Sequence, residues 1–375
     1  MQARARSVHP AVLVFMGVIA CGLAASAAYV LQRGRSPEAV SPTPDDGLWR
    51  APTPPQQLAL DGSTRVWAQQ IVSRQSADGS FSAAAGAPTS GLDTAQQFTA
   101  LLASHGLGVI MPADLQLRTL AALDRARMQS GWAGPAATLQ ARRPSATATA
   151  WAALASAYLA RHSHDENARQ RVRIARDVLV RAQLADGTFP EDLGSGGTET
   201  SPAATVMAAW ALIEAEAIDP ASRSTTAPAR ERALGWIRRN LSDPVLGGVP
   251  GLSEQALWIV WRSRKTLQDR SPDDAMIATR LARVMLTRCS PSLDPHAGCA
   301  RPTTDAATPW IPWTALATAA MLQDPQDPFD ATTRASLSAL MGWALGRFET
   351  ERTEILAGDS SSLAVWLFAS SELQR

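Results

Sequence analysis

Two short stretches decide the fold: QSADGSF at residues 75–81 and QLADGTF at residues 183–189. Each follows a run with the period of an amphipathic helix and ends in an aromatic residue, Phe81 or Phe189. An Asp-Gly pair favours a tight turn with positive φ, after which the ring can pack back between neighbouring helices. A simple helix end would explain the glycine, but not the shared order of glutamine, aspartate and aromatic residue. The stretches therefore predict the turn of a repeated helical hairpin.

The hairpin recurs along most of the chain. Its first helices end at Gln75, Gln129, Gln183, Asn240, Arg288 and Arg347. Its second helices begin near Asp93, Thr147, Ser201, Glu254, Trp310 and Ser360. Successive units are spaced by roughly 50 to 56 residues, a period typical of repeat architectures. We predict six hairpins.

The two helices of a unit differ in composition. First helices such as ERALGWIRRN (231–240) are amphipathic, whereas second helices such as SATATAWAALASAYLA (145–160) are apolar almost all round. A helix that is apolar on every side is buried on every side. Six such helices inside six polar-backed ones form a closed ring, which leaves no open ends to cap. The sequence predicts an all-α protein, an (α/α)6 toroid of six helical hairpins.

The Gln-x-x-Asp-Gly-x-aromatic turns resemble those of the terpenoid cyclase and protein prenyltransferase superfamily, and QSGW at 129–132 is similar to a shortened version. The likeness covers residues 61–372 as a repeat and implies the (α/α)6 toroid of that superfamily. It implies no activity, because the superfamily's Asp-x-Asp-Asp acid, zinc ligands and thioester cysteine lack counterparts here. The nearest stretches, none of which matches, are PDDG (44–47), PDDA (272–275) and GLSEQ (251–255).

The composition is that of a folded domain. The chain has 375 residues, 46% of them apolar, and a formal net charge of +1. With no basic excess, we predict no nucleic-acid partner. The sequence contains no phosphate-binding loop and no nucleophile elbow, and we predict no cofactor.

The N-terminal sequence predicts a membrane anchor. Residues 10–31 carry no charge, and about 22 helical residues rise ~33 Å, enough to cross a bilayer core. We divide the chain into a tail at 1–9, a transmembrane signal anchor at 10–32, a proline-rich linker at 33–60 and the toroid at 61–375. A short N-terminus before a large domain favours a bacterial inner membrane, with the toroid in the periplasm. A lipoprotein modified at Cys21 and a cleaved signal peptide stay open as alternatives.

The two C-terminal cysteines predict a disulfide. Cys289 and Cys299 flank a short proline-containing segment and would pair in an oxidising compartment. Free thiols, or a metal held by Asp294, His296 and Cys299, are the alternatives. That cluster has too few ligands at a recognised spacing, so the sequence predicts no metal site.

Acidic residues near the starts of the inner helices are the first candidate site. In a toroid these N-termini gather at one rim, where two facing acids could serve as general acid and general base. The same residue types are favoured as helix N-caps, which leaves both interpretations open. The candidates are Asp93, Glu199, Glu254 and Asp359.

Tryptophans are the second candidate, since the chain has twelve of them against two tyrosines. Aromatic faces around a cavity suit sugars and isoprenoid chains, although a toroid also needs large residues for core packing. In TPWIPW (308–313), two tryptophans fall within the first turn of an inner helix. We predict ligand contacts for Trp258, Trp261, Trp310 and Trp313.

These features support three hypotheses. The first is a membrane-anchored periplasmic accessory protein that binds a glycan, a lipid-linked intermediate or an envelope protein. The second is a glycan-active hydrolase or lyase that uses rim carboxylates such as Glu199 and Glu254. The third is an isoprenoid-processing enzyme of the terpenoid cyclase superfamily. The sequence favours the first and leaves open whether the protein is an enzyme.

Overall fold

A computed structural model describes the chain from residue 54 to residue 374. The described range omits residues 84–88, 108, 110, 135–141, 164, 195–197, 242–250, 270, 289–309, 325–327, 351, 353–355 and 357–359. Contacts divide the chain into two units, residues 1–46 and 47–375, and every described residue belongs to the second. The predicted tail and anchor at 1–32 and the predicted disulfide between Cys289 and Cys299 lie outside the described residues.

Twelve α-helices make up most of the described part of the chain. In chain order they are α1 Pro54–Ser73, α2 Gly91–Ser104, α3 Ala113–Ala126, α4 Ala146–Ser163, α5 Glu166–Ala182, α6 Pro202–Ile218, α7 Arg223–Asn240, α8 Leu252–Leu267, α9 Asp274–Arg288, α10 Trp310–Gln323, α11 Ala331–Thr350 and α12 Ser360–Leu373. Each even-numbered helix begins within about two residues of the start that the repeat predicts. The six-hairpin organisation is therefore confirmed.

The even-numbered helices form a closed ring. Each contacts the next in chain order from α2 to α12, and α12 contacts α2 in turn. The odd-numbered helices pack behind them, and α1 contacts both α11 and α12. At this junction the Ser63 hydroxyl donates to the Phe348 carbonyl at 3.1 Å, and the Thr64 and Ser370 hydroxyls are 2.9 Å apart. The predicted toroid is confirmed, with its alanine-rich helices inside.

Helix α1 begins at Pro54, inside the segment that we assigned to the linker from the sequence. Proline suits the first turn of a helix, because its missing N–H would have no intrahelical partner there. Leu60 then places a buried side chain in the core, which makes this end of α1 part of the toroid. From Pro54 onward, none of the described helices combines the length and the apolar character needed to cross a membrane.

The two Asp-Gly turns are each hydrogen-bonded to the next outer helix along the chain. Gly79 and Gly187 have φ of +87° and +96°, as the Asp-Gly pattern predicts. The Gln183 amide donates to the Gly187 carbonyl within its own turn at 3.1 Å, and to the Ala229 carbonyl of α7 at 2.8 Å. Gln75 bonds its own turn and α3 in the same way. The glutamine therefore ties successive units together.

A threonine on the inner helix holds the aromatic residue of the turn. In three hairpins the backbone N–H of the aromatic residue donates to this threonine Oγ1 at 3.0 Å, and the pairs are Phe81 with Thr94, Trp132 with Thr149, and Phe189 with Thr205. Trp132 thus takes the place of phenylalanine in the short QSGW turn. Around this turn the chain forms a small antiparallel sheet of β1 Arg127–Met128, β2 Gly131–Ala133 and β3 Pro144–Ser145.

Thr205→Val tests whether this hydroxyl holds the turn. Valine has nearly the same shape but no acceptor, so the buried Phe189 N–H loses its partner, and we expect the free energy of unfolding to fall by about 1–3 kcal/mol. The control is Thr225→Val on outer helix α7, where an exposed hydroxyl bonds only Ser222, and we expect a change within about 0.5 kcal/mol. Urea denaturation followed by circular dichroism measures both, and equal losses would contradict this account.

Candidate functional site

Aromatic side chains fill the centre of the ring. The Trp210 ring centroid lies 5.5 Å from that of Trp151, 5.0 Å from that of Trp258 and 5.1 Å from that of Phe368. The Trp313 ring completes the group at 5.8 Å from Trp258. The rings meet edge-on or tilted, as aromatic pairs prefer. We call these five residues, one from each of the helices α4, α6, α8, α10 and α12, the aromatic layer.

The part of the interior nearest the rim of inner-helix N-termini contains two members of the aromatic layer, Trp151 and Trp313, and two further side chains, Met207 and Gln255. Met207 precedes Trp210 by three residues on α6, and Gln255 precedes Trp258 by three residues on α8, so each pair shares one helix face. The Gln255 Nε2 lies 3.0 Å from the Met207 Sδ, which places the two side chains at the same depth. We call the rim-side group the mouth residues: Trp151, Met207, Gln255 and Trp313.

Exposure decreases from the mouth residues to the centre of the ring. Gln255 is 8% exposed, Trp151 5%, and Met207 and Trp313 4% each, whereas Phe368 is 1% exposed and Trp210 is fully buried. The mouth residues therefore keep a small exposed fraction, whereas the innermost rings keep almost none. The arrangement is a candidate binding site whose floor is made of aromatic rings.

Gln255 is the most informative side chain of this site. Its Nε2 faces the thioether sulfur of Met207, a weak acceptor, and the described residues provide no hydrogen-bond partner for its Oε1. An amide oxygen can accept hydrogen bonds from hydroxyl and amine groups. A ligand that donates a hydrogen bond to Oε1 would use this acceptor, so Gln255 indicates a site for a molecule with hydroxyl or amine groups.

Charged residues close the ring on the other side of the aromatic layer. Glu214 of α6 is fully buried, accepts from Arg262 Nε at 2.9 Å and pairs with Arg161 of α4. The second guanidinium nitrogen of Arg262 donates to Glu372 of α12 at 3.2 Å, and the Tyr158 hydroxyl donates to the same carboxylate at 3.0 Å. We call these five residues the ionic layer. Its polar groups bond one another, so it acts as a structural closure.

Arg262 joins the two layers. Its guanidinium carbon lies 5.9 Å from the centroid of the Trp258 ring. Burial opposes its charge, but Tyr158 and Glu372 outweigh this effect and hold the pKa of Arg262 above its ordinary value. Arg262 therefore stays protonated at physiological pH, and the ionic layer links α4, α6, α8 and α12 through charge-assisted hydrogen bonds.

The four predicted acids take different positions. Asp93 is buried in a capping box, where the Ser90 hydroxyl donates to Asp93 Oδ2 at 2.5 Å and accepts from the Asp93 backbone N–H at 3.0 Å. Glu254, also buried, is the third residue of α8, as Asp93 is of α2. Since α2 and α8 are three places apart in a ring of six, these two acids lie on opposite sides of the rim. Glu199 is exposed before α6, and Asp359 lies outside the described residues.

A further rim acid, Glu191, is absent from the predicted set. Its carboxylate accepts from the hydroxyls of Ser145 and Thr147 at the start of α4, the latter at 2.6 Å. The only signal in the sequence was its position in the glycine-rich loop before α6. The contact joins residues 46 apart, so spacing along the chain does not show it.

The predicted tryptophans do not form one group. Trp258 and Trp313 belong to the aromatic layer, whereas Trp261 is half-buried with the Lys265 Nζ 4.9 Å from its ring centroid. Trp310 is the first residue of α10, and its side chain is not among those described. Within the described ranges, no three His, Cys, Asp or Glu side chains are grouped closely enough to hold a metal ion.

The fold and site define an (α/α)6 toroid with an aromatic floor, and solved structures share this fold at low sequence identity. GH76A alpha-1,6-mannanase from Salegentibacter sp. HEL1_6 has a TM-score of 0.57 and 10% identity, over 84% of this chain and 100% of its own. D-mannose isomerase has a TM-score of 0.61 and 12% identity, over 88% and 99%. Type II terpene cyclase MstE from Scytonema has a TM-score of 0.51 and 14% identity, over 84% and 98%.

These likenesses show the fold alone. The resemblance to terpenoid cyclase toroids is confirmed at that level. Neither a protein-family model nor a curated protein matches the chain.

Proposed function

We propose that this protein is a membrane-anchored binding protein of the cell envelope that holds a saccharide between the rim and the aromatic layer. The observation that carries the proposal is the Gln255 amide, which lies one turn from the tryptophan rings and whose carbonyl oxygen has no hydrogen-bond partner among the residues that the structure describes. A sugar presents hydroxyl groups at its edge and an apolar face. It can therefore bond the amide and cover an aromatic ring at the same time.

An isoprenoid ligand fits the same site less well. Its hydrocarbon chain offers no hydrogen-bond donor, so Gln255 Oε1 would stay without a partner in the complex. The aromatic layer also occupies the centre of the ring, where an extended apolar chain would have to lie, and the Trp210 and Phe368 centroids are only 5.1 Å apart there. These two observations favour a saccharide over an isoprenoid.

Two of the solved structures that share this fold belong to proteins named for saccharides, while a third is a terpene cyclase. The mannanase has been captured as an inactive variant in complex with alpha-1,6-mannotriose, and the isomerase acts on D-mannose. These names describe those proteins and not this one. They make a neutral oligosaccharide a reasonable first probe for the mouth residues.

The proposed location rests on the N-terminal sequence. An anchor at residues 10–32 would hold the toroid at the outer face of a bacterial inner membrane. The proline-rich residues 33–53 that precede α1 would reach up to about 65 Å when extended. A binding domain on such a spacer can engage envelope glycans, or a protein partner that carries them, at a distance from the bilayer.

A glycan-active hydrolase or lyase is the second candidate. The observation in its favour is the placement of Asp93 and Glu254 at the same helical position on opposite sides of the rim. Paired carboxylates about 5–10 Å apart are what glycoside hydrolysis requires. Asp93 is engaged by Ser90 as a capping box, which favours binding without cleavage. A reducing-sugar assay on the protein incubated with an oligosaccharide distinguishes the two functions. Release of new reducing ends would show that the protein is a hydrolase.

Gln255→Met tests the proposal. Methionine keeps the length of the side chain and removes the amide, so we expect little change in stability. We expect the dissociation constant for a bound saccharide to rise about tenfold or more, since a hydrogen bond is lost. Titration calorimetry on the full chain in detergent micelles, beginning with alpha-1,6-mannotriose and chitotriose, measures the affinity.

The matched control is Gln170→Met on the outer face of α5, where the side chain is exposed. We expect this variant to bind like the unaltered protein. If Gln255→Met binds equally well, or if it loses stability without losing affinity, the amide serves packing and the proposed site is wrong.

A further inference from the structure

We infer that Gln96 of α2 is a second amide of the saccharide site, and that it holds one edge of an uncharged sugar while Gln255, across the ring, holds the other. This inference rests on the proposed function, because it concerns the ligand of the same site. It follows from the common register of the inner helices.

The hydrogen bonds to the repeated turns give three inner helices the same register. Thr94 of α2, Thr149 of α4 and Thr205 of α6 each accept from the backbone N–H of the aromatic residue in their own turn, in every case at 3.0 Å. A bond of this kind fixes both the height of a helix in the ring and its rotation about its axis. Residues that follow these threonines by equal numbers of positions therefore take equivalent places.

The layers of the ring agree with this register. Trp151 and Met207, both mouth residues, each lie two positions after the threonine of their helix. Tyr158 and Glu214, both in the ionic layer, each lie nine positions after it. On α2 the count of two leads to Gln96, which places its side chain at the depth of the mouth residues.

The burial of Gln96 and the direction of its neighbour fit this placement. Gln96 is 9% exposed, against 8% for Gln255. The next residue, Gln97, donates from its Nε2 to the Ser82 carbonyl at 3.0 Å, in the segment that follows the first Asp-Gly turn. Successive helical residues are about 100° apart, so the side chain of Gln96 takes a different direction from that of Gln97.

Gln96 and Gln255 lie on opposite sides of the mouth. Their helices, α2 and α8, are three places apart in the ring of six. Trp151 and Met207 lie between them on one side of the ring, and Trp313 lies between them on the other. The mouth is therefore bordered by two facing amides and by apolar side chains.

Two facing amides match a sugar chemically. A hydroxyl group both donates and accepts hydrogen bonds, and an amide also offers both functions. Gln96 has an interaction within the protein, but an amide has sites for about four hydrogen bonds, so it can bind a ligand as well. With the Gln255 Oε1 as an acceptor on the far side, hydroxyls on both edges of one sugar ring find partners, while the tryptophans cover its apolar face.

Gln96→Met tests the inference with alpha-1,6-mannotriose and chitotriose on the full chain in detergent micelles. We expect the dissociation constant to rise about tenfold, because a hydrogen bond to the ligand is lost. Combining Gln96→Met with Gln255→Met should raise it about a hundredfold, since the two amides contact different hydroxyls and their effects add. Gln170→Met on α5 is again the control and should bind like the unaltered protein. Titration calorimetry measures all four affinities.

Gln96→Asn separates binding from folding, because it keeps an amide but withdraws it by one methylene group. We expect a similar loss of affinity from this variant, and urea denaturation shows whether each variant is folded. If Gln96→Met and Gln96→Asn bind as tightly as the unaltered protein while Gln255→Met does not, the inference is wrong and the saccharide site stands.

Two other results would also reject the role of Gln96. Variants that both unfold would assign Gln96 to the core, and a double variant that binds no more weakly than Gln255→Met alone would show that Gln96 does not contact the ligand. If the unaltered protein binds no saccharide, the proposed function itself is wrong, and the inference is rejected with it.

Discussion

Replacing Gly187 by alanine is expected to lower the free energy of unfolding by about 3 kcal/mol or more. The glycine has φ of +96°, a conformation that costs a residue with a Cβ about 1–2 kcal/mol. A Cβ at this position would also lie 2.5 Å from the carbonyl oxygen of Arg232 and 2.8 Å from its carbonyl carbon. Both atoms belong to the backbone of α7, so the clash cannot be relieved by a side-chain rotation.

The consequence extends beyond the turn itself. The same contact brings Gln183 to within hydrogen-bond distance of α7, where the Arg232 Nε donates to its Oε1 at 3.0 Å. Pushing the turn away from α7 weakens that bond as well as the Gln183 amide bond to Ala229. The expected loss is therefore large for a substitution that adds one methyl group.

Gly235→Ala is the matched control on the same outer helix. Gly235 lies within α7, and the nearest atom to an added Cβ is the Arg239 Nη1 at 3.4 Å, the end of a flexible side chain. We expect stability to stay level or to rise by up to about 1 kcal/mol, because alanine favours helix interiors. Guanidinium denaturation of both variants gives the comparison. A Gly187→Ala protein as stable as the control would show that the turn does not require glycine.

Glu214→Gln is expected to cost about 3–5 kcal/mol of stability. Glu214 is fully buried and interacts with Arg161, Arg262 and the Trp210 indole N–H. Glutamine has nearly the same shape but no charge, so Arg161 and Arg262 each lose one carboxylate partner, while Arg262 keeps Glu372. The loss is large because Glu214 itself is fully buried, so water cannot replace its carboxylate beside Arg262.

Glu166→Gln makes the same chemical change on the protein surface. Glu166 pairs with Arg169 and Arg173 on the exposed side of α5, and its side chain is 63% exposed. Exposed pairs of this kind contribute about 0–1 kcal/mol, so we expect a change within about 0.5 kcal/mol. Thermal and chemical denaturation of the two variants measure the difference. Equal effects would mean that the ionic layer does not stabilise the ring.

Much of the fold could be predicted from the sequence, because it depends on local signals that repeat. The turns ending in Phe81 and Phe189, and the alternation of arginine-rich and alanine-rich helices, indicate the number of hairpins and which helix of each lies inside. The start of α1 at Pro54 was not predicted, because a proline-rich composition is typical of a linker. The burial of Leu60 in the core shows that this segment belongs to the toroid.

The site was predicted less well, because it depends on how each inner helix is rotated about its axis. Helices that are apolar all round carry no hydrophobic stripe to indicate this rotation. The ionic layer is an example: Arg262 and Glu372 are 110 residues apart and lie on helices that we expected to form an apolar wall. The contact between the Gln255 amide and Met207 likewise joins two inner helices and has no signal in the local sequence.

The seam, by which we mean the junction of α1 with α11 and α12, affects how the toroid forms. The hydrogen bonds across it join residues 285 and 306 positions apart, so the last helix must be synthesised before this seam can form. Until then the early inner helices present apolar surface to their surroundings. Such non-local contacts form slowly, and partly completed chains with exposed apolar surface tend to aggregate. We therefore expect the toroid to reach its stable form only after α12 has been synthesised.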